Sequence, residues 1–146
     1  MDSTRIPRGK VRQVETPVEE GQHPAPVPLI EFSFLGKQVP WSRARGTTHR
    51  WNLTALTAWE STIHAVAEEE VAMAGYTFPA CGVQVSVEME TPSLASFGDP
   101  DRHLNAVLDG LRGVLYPDDK AKFLRGAGIW VHEGPEPRTT ITCYSA

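Results

Sequence analysis

Through its most informative stretch the chain reads Gly98-Asp99-Pro100-Asp101-Arg102-His103-Leu104-Asn105-Ala106-Val107-Leu108-Asp109-Gly110-Leu111. Proline is favoured in the first turn of a helix, and an aspartate just before it can cap the free backbone N–H groups. We therefore expect a short helix to begin beside Asp99 and to end by Gly113. Its apolar residues recur at the spacing of one buried face; they are Leu104, Val107, Leu108 and Leu111.

A second acidic pair, Asp118 and Asp119, follows this predicted helix after a short apolar step. A turn at that point would bring the pair back towards Asp99 and Asp101. Clustered carboxylates repel one another unless a cation lies among them, and proteins hold Mg²⁺ with one or two carboxylates, waters and phosphate oxygens. Asp99 alone would be only a helix cap and Asp118-Asp119 only a turn. Together the four aspartates predict a magnesium site for phosphodiester chemistry.

The chain from about residue 29 to its C-terminus resembles the RusA-type Holliday junction resolvases, a family of endodeoxyribonucleases common in bacteriophages and prophages. That family's pattern includes Asp-x-Asp, Leu-Asp-x-Leu-Asn-Gly-Val and an Asp-Asp pair. Its matches here are Asp99, Asp101, Leu108, Asp109, Leu111, Gly113, Val114, Asp118 and Asp119. A second family motif, Gly-x-Pro-x-Pro-x-x-Arg-Pro-Arg, is similar to residues 36–45, where Gly36, Pro40, Arg43 and Arg45 match.

The resemblance implies an endonuclease, dependent on Mg²⁺ or on Mn²⁺ in its place, that resolves four-way (Holliday) DNA junctions by paired phosphodiester hydrolysis in recombination and repair. It implies that Asp99, Asp101 and Asp119 are catalytic and that Asp118 joins them as a metal ligand. It also implies a homodimer with an α+β fold, in which two main helices pack on a mixed β-sheet. The residues expected to contact branched DNA are Lys37, Arg43, Arg45, Arg50, Arg102 and Asn105.

Asn105 departs from the family pattern, because the family has a lysine four residues after the second aspartate of Asp-x-Asp. A side chain at this position lies one helical turn from Asp101 and can reach a bound phosphate, but an amide carries no charge. The family's Asn-Leu after that aspartate is Arg102-His103 here. One alternative function is therefore a protein that binds branched DNA without cleaving it. Another is a small phage protein that keeps the fold for contacts with other proteins.

The rest of the sequence predicts one α+β domain, residues 29–146, after a flexible Pro-rich arm, residues 1–28. A long helix is expected from residue 52 or 54 to residue 74, with Gly75 as its stop signal. Strands are expected over residues 29–35, 83–90 and 138–144. Residues 120–132 predict one or two strands interrupted by Gly126 and Gly128.

Composition limits the kinds of partner. The formal net charge of -4 argues against DNA binding by overall positive charge, so any DNA contact must be local. Cys81 and Cys143 are expected to be two reduced thiols, and no apolar stretch suits a signal peptide or a membrane span. We therefore expect a cytoplasmic protein with no membrane partner. The sequence contains no recognisable Ser-His-Asp arrangement and no Cys/His cluster with zinc spacing.

Overall fold

The computed structural model describes residues 27–42 and 50–146, which contain four strands and two helices. In chain order these are β1 (Ile30–Leu35), α1 (Arg50–Ala74), β2 (Val83–Thr91), α2 (Pro100–Leu111), β3 (Leu124–Glu133) and β4 (Arg138–Ser145). The predicted α+β class, with a mixed sheet and two helices, is confirmed. Neither described helix has the length and apolar character needed to cross a membrane.

The four strands form one sheet in the order β1-β4-β2-β3. β4 lies antiparallel to both β1 and β2, whereas β2 and β3 run parallel. Parallel neighbours need a crossover connection, and α2 lies in that connection. Buried and more exposed residues alternate along β2, so one face of the sheet packs into the core and the other faces outward.

β3 is one continuous strand of 10 residues, so Gly126 and Gly128 do not divide it. The strand keeps its parallel pairing with β2 along its length, with one register shift where Val83 opposes Leu124 and Gln84 opposes Gly126. Arg125 is therefore the extra residue of a β-bulge. Ladder hydrogen bonds to β2 hold the glycines in extended conformation, which sequence propensity alone does not reveal.

The two helices cross at a very close contact on the core side of the sheet. A Cβ atom at Gly110 of α2 would lie 2.9 Å from the Cβ of Ile63 in α1 and 3.0 Å from the carbonyl oxygen of Glu60. The Nδ1 atom of His64 lies 3.0 Å from the Gly110 carbonyl oxygen. Val107 and Leu111 are fully buried at this contact, while Leu104 and Leu108 are partly buried. The crossing therefore fixes which face of α2 remains exposed.

Candidate functional site

The start of α2 is built as its sequence predicts. Asp99 is the N-cap, and its Oδ1 atom accepts a hydrogen bond of 2.9 Å from the backbone N–H of Asp101. Gly98, with a φ of 90°, turns the chain into this cap through a conformation that glycine adopts without strain. Pro100 occupies the first turn. The carboxylates of Asp99 and Asp101 are therefore both held at the exposed N-terminus of the helix.

His103 is a buried anchor for the loop that leads into α2. Its side chain is only 1% exposed, and its ring stacks on Phe97 with 3.7 Å between the ring centroids. The Nε2 atom lies 2.8 Å from the Phe97 carbonyl oxygen, while Nδ1 has no hydrogen-bond partner within the part of the chain that the structure describes. His103 thus holds the Phe97 to Asp99 segment in place.

Burial lowers the pKa of His103, and the hydrogen bond to Phe97 and the Asp99 carboxylate oppose this shift only in part. The unfolded chain therefore binds a proton at His103 more readily than the folded chain does. We expect the free energy of unfolding to keep the full His103 contribution above about pH 6.5, the ordinary histidine value, and to lose it progressively at lower pH. Urea unfolding of wild type and His103→Leu across this range measures the effect.

The two proteins should differ in the slope of unfolding free energy against pH, by at most about 1.4 kcal/mol per pH unit for one group. All other groups are the same in both proteins, so their effects cancel in the comparison. Parallel curves for wild type and His103→Leu would contradict a neutral, buried His103.

The turn after α2 carries the second acidic pair back against the helix. Gly113, with a φ of 85°, donates its N–H to the Tyr116 carbonyl oxygen over 2.7 Å. Leu115 and Tyr116 are buried, and the Tyr116 hydroxyl donates to the Leu108 carbonyl oxygen. This buried anchor leaves Asp119 exposed beside the C-terminal half of α2.

One groove brings several of these elements together, and we call it the α2 groove. It has a volume of about 280 Å³ and is lined by Trp41, Asn105, Leu108, Asp109, Arg112, Asp119 and Leu124. The Arg112 guanidinium lies between two carboxylates, 2.5 Å from Asp109 Oδ1 and 3.5 Å from Asp119 Oδ2. An amide, two carboxylates and a guanidinium therefore share one small depression.

Acidic groups set the electrostatics around this guanidinium. Burial raises the pKa of Glu60 in α1, and the neighbouring Asp109 carboxylate raises it further, while Arg112 opposes the shift. The Asp119 N–H, which donates to Asp118 Oδ1 over 2.7 Å, lowers the pKa of Asp118. Arg112 thus offsets repulsion among the neighbouring carboxylates.

The loop after β1 is held firmly at two points. The side-chain amide of Gln38 donates to the carbonyl oxygens of Glu90 and Arg138, each over 3.1 Å. The backbone N–H of Trp41 donates to the Arg102 carbonyl oxygen in the first turn of α2, over 2.8 Å. These bonds direct the chain along the α2 groove just before residue 43.

The predicted site residues do not all lie in one place. Asn105 and Asp119 line the α2 groove together, and Asp101 lies one helical turn before Asn105. Lys37 instead lines a separate cavity of about 420 Å³ beside Ser93, Ser96 and His103, and Arg102 is exposed in the first turn of α2. Arg43 and Arg45 lie outside the described residues, and Arg50 begins α1 with its side chain outside the description.

The aspartates offer oxygen ligands without preforming a metal cage. Within residues 27–42 and 50–146, no three His, Cys, Asp or Glu side chains form a group that could hold a metal ion. Mg²⁺ usually keeps several waters and is bound through one or two carboxylates together with substrate phosphates. Exposed carboxylates such as Asp101 and Asp119 therefore fit this ion by donor type.

Arg112 lines the groove, and Glu60 of α1 lies near enough to Asp109 and Arg112 for their charges to act on it, although no sequence motif indicated either residue. The sequence does contain a signal for the ion pair between Asp109 and Arg112. The two residues are three apart at the end of the predicted helix, where such residues face each other and cations are favoured. Glu60 carries no such signal. Its position depends on how α1 crosses α2 at Gly110.

No protein-family model matches this chain, and the search of curated proteins found no match. Its function is therefore inferred from its own motifs and from the α2 groove.

Proposed function

We propose that this protein is a metal-dependent endodeoxyribonuclease that resolves four-way DNA junctions, as its resemblance to the RusA-type resolvases implies. The carrying observation is that Asn105 and Asp119, from different segments, line one groove beside the Arg112 guanidinium. The family motif predicts that these two positions act on the same phosphate. Asp101, one helical turn from Asn105, extends the same exposed side of α2.

In this proposal Asp99, Asp101, Asp118 and Asp119 provide the oxygen ligands for Mg²⁺ or Mn²⁺. An ion held there would supply Lewis-acid stabilisation of the phosphoryl oxygens and would lower the pKa of a bound water. The carboxylates also orient the attacking water by accepting its hydrogen bonds. Asp99 has one oxygen engaged by the N-cap bond to Asp101, so the cap itself restrains this carboxylate.

Arg112 supplies the positive charge that Asn105 lacks. A guanidinium has five donors in a fixed fork, and its contact with Asp119 is long at 3.5 Å, so donors remain for a phosphate oxygen. The shorter contact with Asp109 holds the guanidinium at the groove. The Asn105 amide can donate a further hydrogen bond to the same phosphate.

DNA binding is proposed to be local, along the loop after β1 and the exposed side of α2. Trp41 lines the α2 groove, and aromatic rings there can stack on an unpaired base. Lys37, Arg43, Arg45, Arg50 and Arg102 would contact backbone phosphates. This arrangement reconciles DNA binding with the net charge of -4.

Arg43→Ala and Arg45→Ala are each expected to weaken binding to junction and duplex DNA alike. Each lost phosphate contact should also reduce the slope of log affinity against log salt concentration by about one. Fluorescence anisotropy titrations over a range of salt concentrations measure both quantities. Arg138→Ala is the matched control, because Arg138, the first residue of β4, pairs with Glu136 in the preceding loop. Unchanged affinity and slope in the two loop variants would remove this loop from the DNA-binding surface.

Incubation of the purified protein with a labelled four-way junction tests the function directly. Paired nicks in Mg²⁺ that disappear in EDTA are expected of a resolvase. The uncharged Asn105 favours one second candidate, a protein that binds branched DNA without cutting it, and this would give a shifted but intact junction. A protein that uses the fold for protein contacts would give neither nicks nor a shift.

Symmetric cutting of a junction needs two nicks on opposing strands, which a twofold pair of identical sites supplies. The proposal therefore includes a homodimer as the active species.

A further inference from the structure

A second cavity, which we call the Lys37 cavity, lies beside the start of α2. Its volume of about 420 Å³ falls within the range of roughly 300–1,000 Å³ that is typical of small-molecule sites. The loop after β1 lines it with Lys37 and Gln38, the loop after β2 with Ser96 and Phe97, and the first turn of α2 with His103. Among the described residues, none lines both this cavity and the α2 groove, so the two are separate candidate sites.

The Lys37 cavity has a buried end and an exposed end. Gln38, Phe97 and His103 are buried, and the rings of Phe97 and His103 stack on each other. Lys37 and Ser96 are exposed. A ligand therefore meets a positive charge and a hydroxyl group at the exposed end, and aromatic rings and buried polar atoms at the other end.

The buried end offers hydrogen-bond acceptors. The Phe97 carbonyl oxygen can only accept, so the neutral ring of His103 carries its proton on Nε2 and donates it over 2.8 Å. His103 Nδ1 is then left with a lone pair, and no donor from the described residues reaches it. The Nε2 group of Gln38 already donates to the carbonyl oxygens of Glu90 and Arg138, so this amide has only its Oε1, a second acceptor, left to offer.

An unpaired buried acceptor is costly, and a ligand that supplies the missing donor removes that cost. Adenine and cytosine have an exocyclic amino group with N–H donors, whereas thymine has a carbonyl oxygen at the corresponding position. Proteins hold an unstacked base between aromatic and apolar side chains, and Phe97, Pro40 and Pro92 provide such surfaces in this cavity. The Lys37 ammonium at the exposed end suits a phosphate group.

We propose that the Lys37 cavity binds one unstacked nucleotide, with the amino group of its base on His103 Nδ1 and its phosphate at Lys37. The cavity adjoins the candidate metal ligands, because Phe97 lies two residues before Asp99 and the His103 N–H donates to the Asp99 carbonyl oxygen over 3.4 Å. The nucleotide comes either from a DNA strand held for cutting or from solution. Only the first source rests on the proposed function.

Binding of free nucleotides in EDTA tests the cavity without any cleavage. The matched pair is dCMP and dUMP, because the two differ only in the amino group that uracil replaces by an oxygen. Wild type should bind dCMP at least about tenfold more tightly than dUMP. His103 Nδ1 has almost no exposed surface, so binding must draw the ring slightly towards the cavity, and the ¹⁵N resonance of Nδ1 should shift with dCMP. Equal affinity for the two nucleotides, or no binding of either, overturns the proposal.

Two variants locate the two ends of the nucleotide. Lys37→Ala should weaken dCMP binding roughly tenfold and leave the binding of deoxycytidine, which has no phosphate, unchanged. Lys122→Ala, at an exposed position outside the cavity, is the control that should alter neither. His103→Phe keeps a ring beside Phe97 but has no Nδ1, so the preference for dCMP over dUMP should disappear. A preference that persists in His103→Phe overturns the proposal, as does an equal loss of dCMP and deoxycytidine binding in Lys37→Ala.

Junctions that differ only in one base beside the cut identify the source of the nucleotide. Slower cutting where uracil replaces cytosine, in wild type but not in His103→Phe, shows that the DNA strand supplies it. Cutting that ignores this base, in a protein that prefers dCMP, shows that the cavity takes a free nucleotide. A protein that prefers dCMP but cuts no junction supports the cavity and overturns the nuclease. A protein that cuts junctions but binds no nucleotide overturns the cavity and leaves the nuclease standing.

Discussion

Asp99→Asn, Asp101→Asn and Asp119→Asn are each expected to abolish Mg²⁺-dependent junction cleavage and to retain junction binding. Each change replaces a carboxylate by a neutral group of the same shape, so a metal ligand loses its charge. Removal of a residue that only hydrogen-bonds to a metal ligand lowers activity roughly 10- to 100-fold. The loss of cleavage rate in these three variants should be larger than that. Binding should persist, because less negative charge at the groove does not weaken attraction to phosphate.

Single-turnover cleavage of a labelled junction and gel-shift titration in EDTA measure the two effects. The structure makes Asp99→Asn a clean variant, because asparagine caps a helix about as well as aspartate does. Glu69→Gln, at an exposed position of α1, is the control for loss of one negative charge. Wild-type cleavage by any of the three variants would remove that aspartate from the catalytic group.

Local signals were sufficient to predict the elements that carry the site. The cap at Asp99, the proline after it and the apolar spacing through Leu111 are all short-range features, and α2 begins and ends close to where they predict. The alternation along β2 and the stop at Gly75 are of the same kind. Such features depend on the backbone preferences of a few neighbouring residues, so a single sequence contains them.

Contacts between distant segments could not be predicted in the same way. Gln38 looks like a simple departure from a motif, yet its amide joins the loop after β1 to β2 and β4. From the sequence, Arg102 or His103 could partly substitute for the missing lysine, but the burial of His103 against Phe97 rules out that role for His103. The sequence also could not reveal that Asp119 lies beside Arg112 and Asn105, because the turn after α2 sets that proximity.

Arg112→Ala is expected to lower the cleavage rate by roughly 10²-fold or more, the usual cost of removing one preorganised donor from a reacting centre. In the proposed mechanism the guanidinium lies where negative charge would build up on the phosphate, so its effect should fall on the rate and much less on junction affinity. Arg138→Ala is the matched control, because the side chains of Arg112 and Arg138 are 41% and 43% exposed and both pair with carboxylates.

Position 105 decides whether Arg112 replaces the family's lysine or has a separate role. From the sequence alone, Asn105→Lys is expected to raise the rate, because it restores a missing charge. The α2 groove already holds the Arg112 guanidinium, so the same change in wild type should now alter the rate by less than about threefold. In the Arg112→Ala background, however, Asn105→Lys should recover at least about tenfold of the lost rate.

The effect of Asn105→Lys in the Arg112→Ala background distinguishes a catalytic charge at Arg112 from a purely structural role of this residue. If Arg112 only held Asp109 and Asp119 in place, a lysine at position 105 would not restore cleavage to Arg112→Ala. Rescue therefore requires that the groove needs one cation near the phosphate, from position 105 or from position 112. A large gain from Asn105→Lys in wild type would instead show that Arg112 stays bound to its carboxylates and that this chain lacks the catalytic cation.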